Sequence, residues 1–425
     1  MDRRQFLQTA ALAAVPASEK VTIGIIGVRG RGRALTGAFA AMPDVNIAYL
    51  CDVDSGVIGR AAREIENARR PPAKVVGDLR RILEDKSVDA VVIATPDHWH
   101  APATIMACDA GKDVYVEKPA SHNLREGRAM VQAARRNQRI VQMGTQGRSR
   151  AATIEAMEFI RSGKIGKVVM AKAFDVQLRQ DIGHKPDSPV PPGVDYENWT
   201  GPALALPFNQ NRFHYTWHWH WNYGTGDAGN DGIHQLDQAR WALGVDVPVE
   251  VTGGGRKLFF QDDQQTPDTI NVTYHFGDGK AIIFEMRIWC PYGMEGQDNA
   301  IAVYGSEGMI QVGRWGRVQG YKLFDDKGKE VFFRDAKMAA GETQEGRGEA
   351  HAQNFIDCVR SRKTPNAEIE SGHKSTILTH LANVVVRTGR NIKFDPKTET
   401  VPGDAEANRL LGRTYRKHWA TPKIA

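Results

Sequence analysis

Val21-Thr22-Ile23-Gly24-Ile25-Ile26-Gly27-Val28-Arg29-Gly30-Arg31-Gly32 decides how this chain is read. The first six residues are apolar at nearly every position, as a strand covered on both faces is. They run straight into a glycine-rich turn, and a helix pattern begins near Arg33. In that setting Gly27 permits the tight turn, Gly32 lets helix and strand approach, and the helix N-terminus offers unpaired N–H groups to a pyrophosphate. The second glycine of the usual pattern falls on Arg29, which leaves Gly30 for the close backbone approach and Arg31 within reach of the same cofactor. The next strand, residues 46–51, ends at Asp52, 25 positions after Gly27. A carboxylate there bonds ribose hydroxyls and repels a 2′-phosphate, so the spacing favours NAD over NADP. Asp54 is the second choice for that acid.

Outward from this stretch, strands are expected at residues 90–94, 114–116 and 140–142, with helices at 101–110 and 124–137, the pattern of a doubly wound parallel sheet. A length of 425 residues leaves room for about two to three domains. After Gly147 the pattern changes. A helix at 151–161 precedes an alternating strand at 168–174, a proline-rich loop at 185–207, and strand-like runs at 268–275, 281–288, 300–303 and 309–312. Helical patterns return at 349–361 and 375–388, and the chain after Lys393 reads as irregular. The expected fold is α/β: a Rossmann domain over 20–147, an α+β substrate-binding domain over 148–395 with a large, mainly antiparallel open sheet, and a tail over 396–425.

Composition removes other classes. The chain is 41% hydrophobic and 25% charged, so it is not a disordered chain, and its net charge of +6 comes from basic residues that form no stripe. Nucleic acid is therefore not an expected partner. Cys51, Cys108, Cys290 and Cys358 are far apart and form no CxxC pair, which argues against both a zinc site and a disulfide framework. Residues 1–18 read as an address. Arg3-Arg4-Gln5-Phe6-Leu7 precedes an apolar run too short to span a bilayer, which needs about 20 residues, and resembles a twin-arginine export signal. The expected location is periplasmic or otherwise exported, with no membrane span. NAD is scarce there, so a cofactor bound before export would have to stay bound and return to its starting redox state in each turnover.

Three further segments fall in a fixed order: Ala94-Thr95-Pro96-Asp97-His98-Trp99-His100, Val116-Glu117-Lys118-Pro119, and Gly229-Asn230-Asp231-Gly232-Ile233-His234-Gln235-Leu236-Asp237. On these the chain resembles the Gfo/Idh/MocA oxidoreductases, which include glucose–fructose oxidoreductases and inositol dehydrogenases, over nearly everything after residue 18. The resemblance implies that Thr95, Pro96 and His100 lie along the cofactor, that Glu117 and Lys118 form the catalytic-lysine motif, that Gln146 sits near the nicotinamide, and that His234 is the motif histidine and Asp237 its final acid. It also implies a homodimer or homotetramer. Asn230 stands where the family has its first aspartate, so an amide replaces a carboxylate, with Asp231 beside it.

The chemistry can be argued from residue types. Oxidising a secondary alcohol requires the hydroxyl proton to leave, which calls for a base and a cation to favour the developing alkoxide. His234 can be the base, since an ordinary imidazole titrates at about 6.5. Lys118 can supply the charge, or take the proton if burial lowers its pKa. The densest local signal is Phe213-His214-Tyr215-Thr216-Trp217-His218-Trp219-His220-Trp221-Asn222-Tyr223. As an extended chain it sets Trp217, Trp219 and Trp221 on one face and His218, His220 and Asn222 on the other. Three readings are open to it: a sugar-binding wall, with Trp217, His218, Trp219 and His220 joining Asn230 and Asp231 around the substrate; metal binding by His214, His218 and His220; or aromatic core alone. Metal is not the expectation, because no Cys or Glu spacing completes a site. Trp199 and Tyr196 are expected to add a wall. The function these residues imply is NAD-dependent redox chemistry at a ring hydroxyl of a sugar, glycoside or cyclic polyol. The alternatives are an NAD-dependent glycosidase working through transient C3 oxidation and elimination, and a non-catalytic NAD and sugar sensor.

Overall fold

The computed structural model describes residues 20–424 apart from 291, 294, 295, 298, 316, 317 and 337–348, so the expected leader lies outside the described residues. Six strands form the first sheet: β1 (Val21–Ile26), β2 (Val45–Cys51), β3 (Lys74–Val76), β4 (Ala90–Ile93), β5 (Asp113–Val116) and β6 (Val141–Met143). All pair in parallel in the order β3-β2-β1-β4-β5-β6. β4 and β5 are buried at every position, which is why both read as continuous apolar runs. β3 escaped the sequence reading because it is a three-residue edge strand whose Val75 is exposed. The order reverses between β1 and β4, and a crevice opens there at the carboxyl ends of the strands.

The second sheet has nine strands: β7 (Val168–Val176), β8 (Glu250–Arg256), β9 (Thr269–His275), β10 (Ala281–Arg287), β11 (Asn299–Gly305), β12 (Gly308–Trp315), β13 (Val318–Phe324), β14 (Glu330–Ala336) and β15 (Ile392–Lys393). Its order is β14-β13-β12-β11-β7-β10-β9-β8-β15, antiparallel throughout except for the β7–β10 pair. β9 and β10 alternate buried and less buried positions, so one face carries the core. Helices Ile233–Leu243 and Ile369–Thr388 cover that face. Among the described residues no helix is long and apolar enough to cross a membrane.

Two segments depart from expectation. Residues 214–219 form a 3-10 helix and not an extended chain. The run makes successive short-range turns, with His220 N–H donating to the Trp217 carbonyl and Tyr223 N–H to that of His220. Among the described residues no strand pairs with it, and the alternation of aromatic and polar residues could not reveal that. The chain after Lys393 is also not irregular. It carries a helix, Ala405–Leu410, and then returns to the first domain, where Arg413 pairs with the fully buried Glu126 at 2.7 Å.

Candidate active site

The turn after β1 is built by sterics. Gly27 has φ +80°, and a Cβ there would stand 2.7 Å from the Ala94 carbonyl oxygen; a Cβ on Gly32 would stand 1.8 Å from that of Gly27. Helix and strand touch so closely that only glycine fits at either place. The helix runs from Gly30 to Ala41, starting three residues before the expected Arg33. Gly27, Arg29, Gly30 and Arg31 line the crevice; Gly32 lies behind it as packing.

Asp52 lines the same crevice. Its carboxylate accepts from Val28 N–H (2.8 Å) and Asp54 N–H (3.0 Å), and burial raises its pKa against those bonds. Asp54 also reaches the crevice, where it caps the helix Ser55–Asn67 and pairs with His214 Nε2 at 3.1 Å. β2 and β5 lie three strand positions apart in the sheet order. Asp52 and Lys118, which follow them, therefore stand roughly 14 Å apart across the crevice at the usual strand spacing. A steric cradle, an open helix N-terminus and an acid at the end of β2 fit a dinucleotide carrying free ribose hydroxyls.

Thr95, Pro96 and His100 line the crevice as expected. His100 bridges two carbonyls, its Nδ1 2.7 Å from the Pro119 oxygen and its Nε2 2.9 Å from the Thr95 oxygen. It ties the two walls together and presents no free nitrogen. Glu117 is buried and accepts from Arg31 Nε at 2.8 Å. Burial alone would raise its pKa, but Arg31 and then Lys118 outweigh it and hold the carboxylate ionised. Gln146 does not line the crevice; its Nε2 lies 3.2 Å from the Tyr115 hydroxyl and 3.3 Å from Glu117 Oε1, so it supports the acid.

Lys118 Nζ donates to the main-chain carbonyl of Asn230 and to its Oδ1 (3.2 Å). Asn230 sits in a π-helical turn, Ala228–Gly232, immediately before helix Ile233–Leu243, a distortion often found at functional sites. That turn leads into His234, which does not itself line the crevice; burial, and next the Lys118 charge, lower its pKa to about 4. Asp231 pairs with Arg179 and accepts from Gln177 (3.2 Å). Arg179 also holds Asp227 (3.0 Å), which in turn accepts from Asn230 Nδ2 (2.8 Å). Asp175 completes an acidic group whose ligand atoms lie within 4.8 Å of one another. Its burial and the neighbouring Asp227 push its pKa well up, while Arg179 pairs with the other two. Asp237 does not line the crevice and is buried against Arg148 (2.8 Å).

The aromatic segment divides. In a 3-10 helix residues three apart eclipse, so His214 with Trp217 and Tyr215 with His218 share sides, and all four line the crevice. Trp217 stacks on the His218 ring at 3.6 Å. Trp219 turns instead into the core of the second domain and His220 lies buried outside the crevice, so neither lines the pocket as expected of them. The folded turn carries them inward. Trp199 lines the crevice and Tyr196 stacks behind it at 5.5 Å. Missed by sequence reasoning were Asp97, Trp99, Tyr215 and Trp419. Asp97 and Trp99 lay inside a quoted motif, whereas Trp419 is far away in sequence and carries no motif. Its indole lies 5.6 Å from Trp99, beneath the Arg80 guanidinium (4.3 Å), and donates to Asn198 (3.1 Å).

Comparison with known proteins agrees with this geometry. The family model described as "Oxidoreductase family, NAD-binding Rossmann fold" matches residues 21–145. The one described as "Oxidoreductase family, C-terminal alpha/beta domain" matches 168–315 and 334–421. The chain is 28% identical over 293 residues to the scyllo-inositol 2-dehydrogenase (NAD(+)) of Bacillus subtilis (strain 168), covering 68% of this chain and 72% of that protein. It is 32% identical over 181 residues to the glycosyl hydrolase family 109 protein 1 of Shewanella sp. (strain MR-4), covering 41% of this chain and only 39% of the relative's length. Levoglucosan dehydrogenase, solved with NADH and levoglucosan, shares the fold at a TM-score of 0.68 and 19% identity, over 88% of this chain and 99% of that one. A glycine-built crevice at the β1–β4 switch, an acid at the end of β2 and the matched halves lead to one conclusion: the chain belongs to the Gfo/Idh/MocA family of NAD-binding oxidoreductases.

Proposed function

We propose that this protein oxidises, reduces or isomerises a sugar, glycoside or cyclic polyol at a ring hydroxyl, with NAD held and recycled in place. The observation that carries this reading is the bonding of Lys118 to Asn230, from the two matched halves and both lining the dinucleotide crevice, with His234 four residues after Asn230 at the start of the next helix. NAD, when bound, supplies the redox capacity. The chain's own residues handle the proton and the substrate. Lys118 Nζ, fixed by the carbonyl and Oδ1 of Asn230, points a positive charge at the substrate oxygen and favours a developing alkoxide. An imidazole nitrogen of His234 takes the hydroxyl proton. Asn230 takes no proton; it anchors Lys118. Trp217 and Tyr215 offer flat apolar faces to the C–H side of a sugar ring.

Support for a retained cofactor comes from the roof of the crevice. Trp419 and Trp199 both line it, and residues 193–195 bond across the end of β2, through Ser55 N–H to the Gly193 carbonyl and Asp195 N–H to that of Val53. The same proposal includes a twin-arginine leader at 1–18, a periplasmic or otherwise exported product, the division at 147/148 and 395/396, and a homodimer or homotetramer. Cell fractionation tests the address and sedimentation the assembly. A second reading is favoured by the glycosyl hydrolase family 109 relative. Oxidation at C3 acidifies the C2 hydrogen, elimination expels the C1 substituent, water adds, and the alcohol is restored.

One experiment separates these. The purified protein is incubated with a panel of sugars and glycosides, and products are weighed by mass spectrometry while the reduced-nicotinamide absorbance is followed through desalting. Absorbance that stays with the protein supports the closed cycle, and a released aglycone with added water selects the glycosidase. Sugar binding without any product or absorbance change would make the protein a non-catalytic sensor.

The base assignment has its own test. His234 with a pKa of about 4 is unprotonated at neutral pH, and the active form is lost only as pH falls through that value. kcat/KM is therefore expected to hold steady down to about pH 5 and to fall with a midpoint near 4, below the ordinary histidine value of about 6.5. A limb centred near 6.5 would remove His234 from the role.

A further inference from the structure

A second cavity, of about 330 Å³, lies behind the crevice, within the size range of small-ligand pockets. Thr225 is the partition: its hydroxyl donates to Asp97 of the crevice (2.7 Å), and its carbonyl accepts from Asn383 Nδ2 in the second cavity (2.8 Å). No residue argued above to act in redox chemistry lines it.

Its charge is one-sided. Arg387, Arg409 and Arg413 line it and, among the described residues, no aspartate or glutamate does. Arg413 is balanced by Glu126, but Arg387 and Arg409 have no carboxylate partner among the described residues, and Arg387 stands 5.0 Å over the ring of Trp221 in the same wall. Burial holds His380 down to about 3 and His122 well below its ordinary value, so the two histidines there are neutral. Two exposed guanidiniums thus face a cavity to which the described residues bring no counter-charge.

Its polar lining is also under-used. Asn123 Nδ2, Arg413 Nη1, His122 Nδ1 and Asn383 Oδ1 are buried without a partner, which native interiors generally avoid. Their other bonds fix their roles. Asn123 Oδ1 accepts from Glu126 N–H, so its amide nitrogen is a spare donor. His122 Nε2 faces the Trp221 carbonyl and must donate, so Nδ1 is a spare acceptor. Asn383 donates to Thr225, so Oδ1 is another. Spare donors beside guanidiniums suit an oxyanion, and spare acceptors suit hydroxyl groups.

We infer that this cavity is a second binding site, for a small hydroxylated oxyanion such as a sugar bearing a carboxylate or a sulfate ester. This does not rest on the proposed redox function.

The test is calorimetry on the full-length, NAD-loaded protein with glucuronate, galactose 6-sulfate, glucose and inorganic sulfate as probes. Glucuronate or galactose 6-sulfate should bind in a salt-sensitive manner, the tighter of the two naming the oxyanion. Arg387→Gln with Arg409→Gln should weaken that binding at least tenfold. Both arginines are on the exposed rim, and either single variant serves should the double one fail to fold, with at least threefold weakening. Arg60→Gln, an exposed control elsewhere, and Lys118→Ala should leave the binding intact. Equal binding by the rim variants would overturn the site. Loss in Lys118→Ala would do the same, by placing the ligand in the crevice. Sulfate binding as tightly as the sugar acids would overturn recognition of the hydroxyls.

Discussion

Replacing Lys118 by alanine is expected to lower turnover about a thousandfold, the range for losing a positioned proton-handling or oxyanion-stabilising group. NAD should still bind. The side chain reaches Asn230 from the end of β5, whereas the cradle for the phosphates is made by Gly27, Gly30 and the helix behind them. The expected signature is therefore a collapse in kcat with an unchanged NAD dissociation constant and an unchanged melting temperature. Rescue of part of the rate by added alkylamines would mark the lost group as the ammonium. A variant that turns over at the wild-type rate would remove Lys118 from the chemistry and leave the sensor reading in its place.

Gly32→Ala is expected to act in the opposite manner, on binding and stability together. The new methyl would sit 1.8 Å from the Gly27 carbonyl oxygen, far inside contact distance, and the obstacle is backbone, which cannot swing aside. Either β1 and the helix Gly30–Ala41 separate, or the turn at Gly27 opens. Overpacking of this kind costs about 1–3 kcal/mol of stability. Opening the turn also spoils the alignment of N–H groups on the pyrophosphate, and at about 1.4 kcal/mol per decade a loss of about 2.7 kcal/mol corresponds to a hundredfold weaker NAD. Thermal unfolding and a fluorescence titration of NAD measure the two effects. Wild-type affinity in this variant would show that the dinucleotide does not use this turn. Gly59, in the helix Ser55–Asn67 outside the turn, where a Cβ would meet nothing within 4 Å, offers the contrast.

Much of this site could be read from residue order. β1, β2, β4, β5 and β6 are parallel strands buried at most positions, and burial on both faces writes itself as mostly apolar runs, unbroken in β4, that local inspection finds. The glycines of the turn and Asp52 after β2 follow from short-range geometry. Lys118, Asn230 and His234 came from motif order, and the fold then bonds Lys118 to Asn230. What local reading missed has no local signature. β3 is an edge strand of three residues without an apolar run. The segment 214–219 alternates like a strand, but it has no neighbour to pair with and folds into short turns, sending Trp219 inward and leaving Trp217 at the crevice.

Sequence by itself determined the class of sheet, the dinucleotide turn, the acid that follows β2 and the identities of the lysine and histidine, because each depends on neighbours a few residues away or on a motif of fixed spacing. Only the tertiary structure decided which helix closes which core. Glu349–Ser361 packs its Phe355 and Ile356 beside Ile23, Phe39 and Tyr115 of the first domain, though the chain between has already built the second sheet. The structure also decided that Trp419 lines the crevice, that Arg179 gathers Asp227 and Asp231 beside Asn230, and that the cationic cavity behind Thr225 exists at all. Those arrangements join residues far apart along the chain. Burial, charge and steric fit select them only once the whole chain has closed, so no window of sequence contains them.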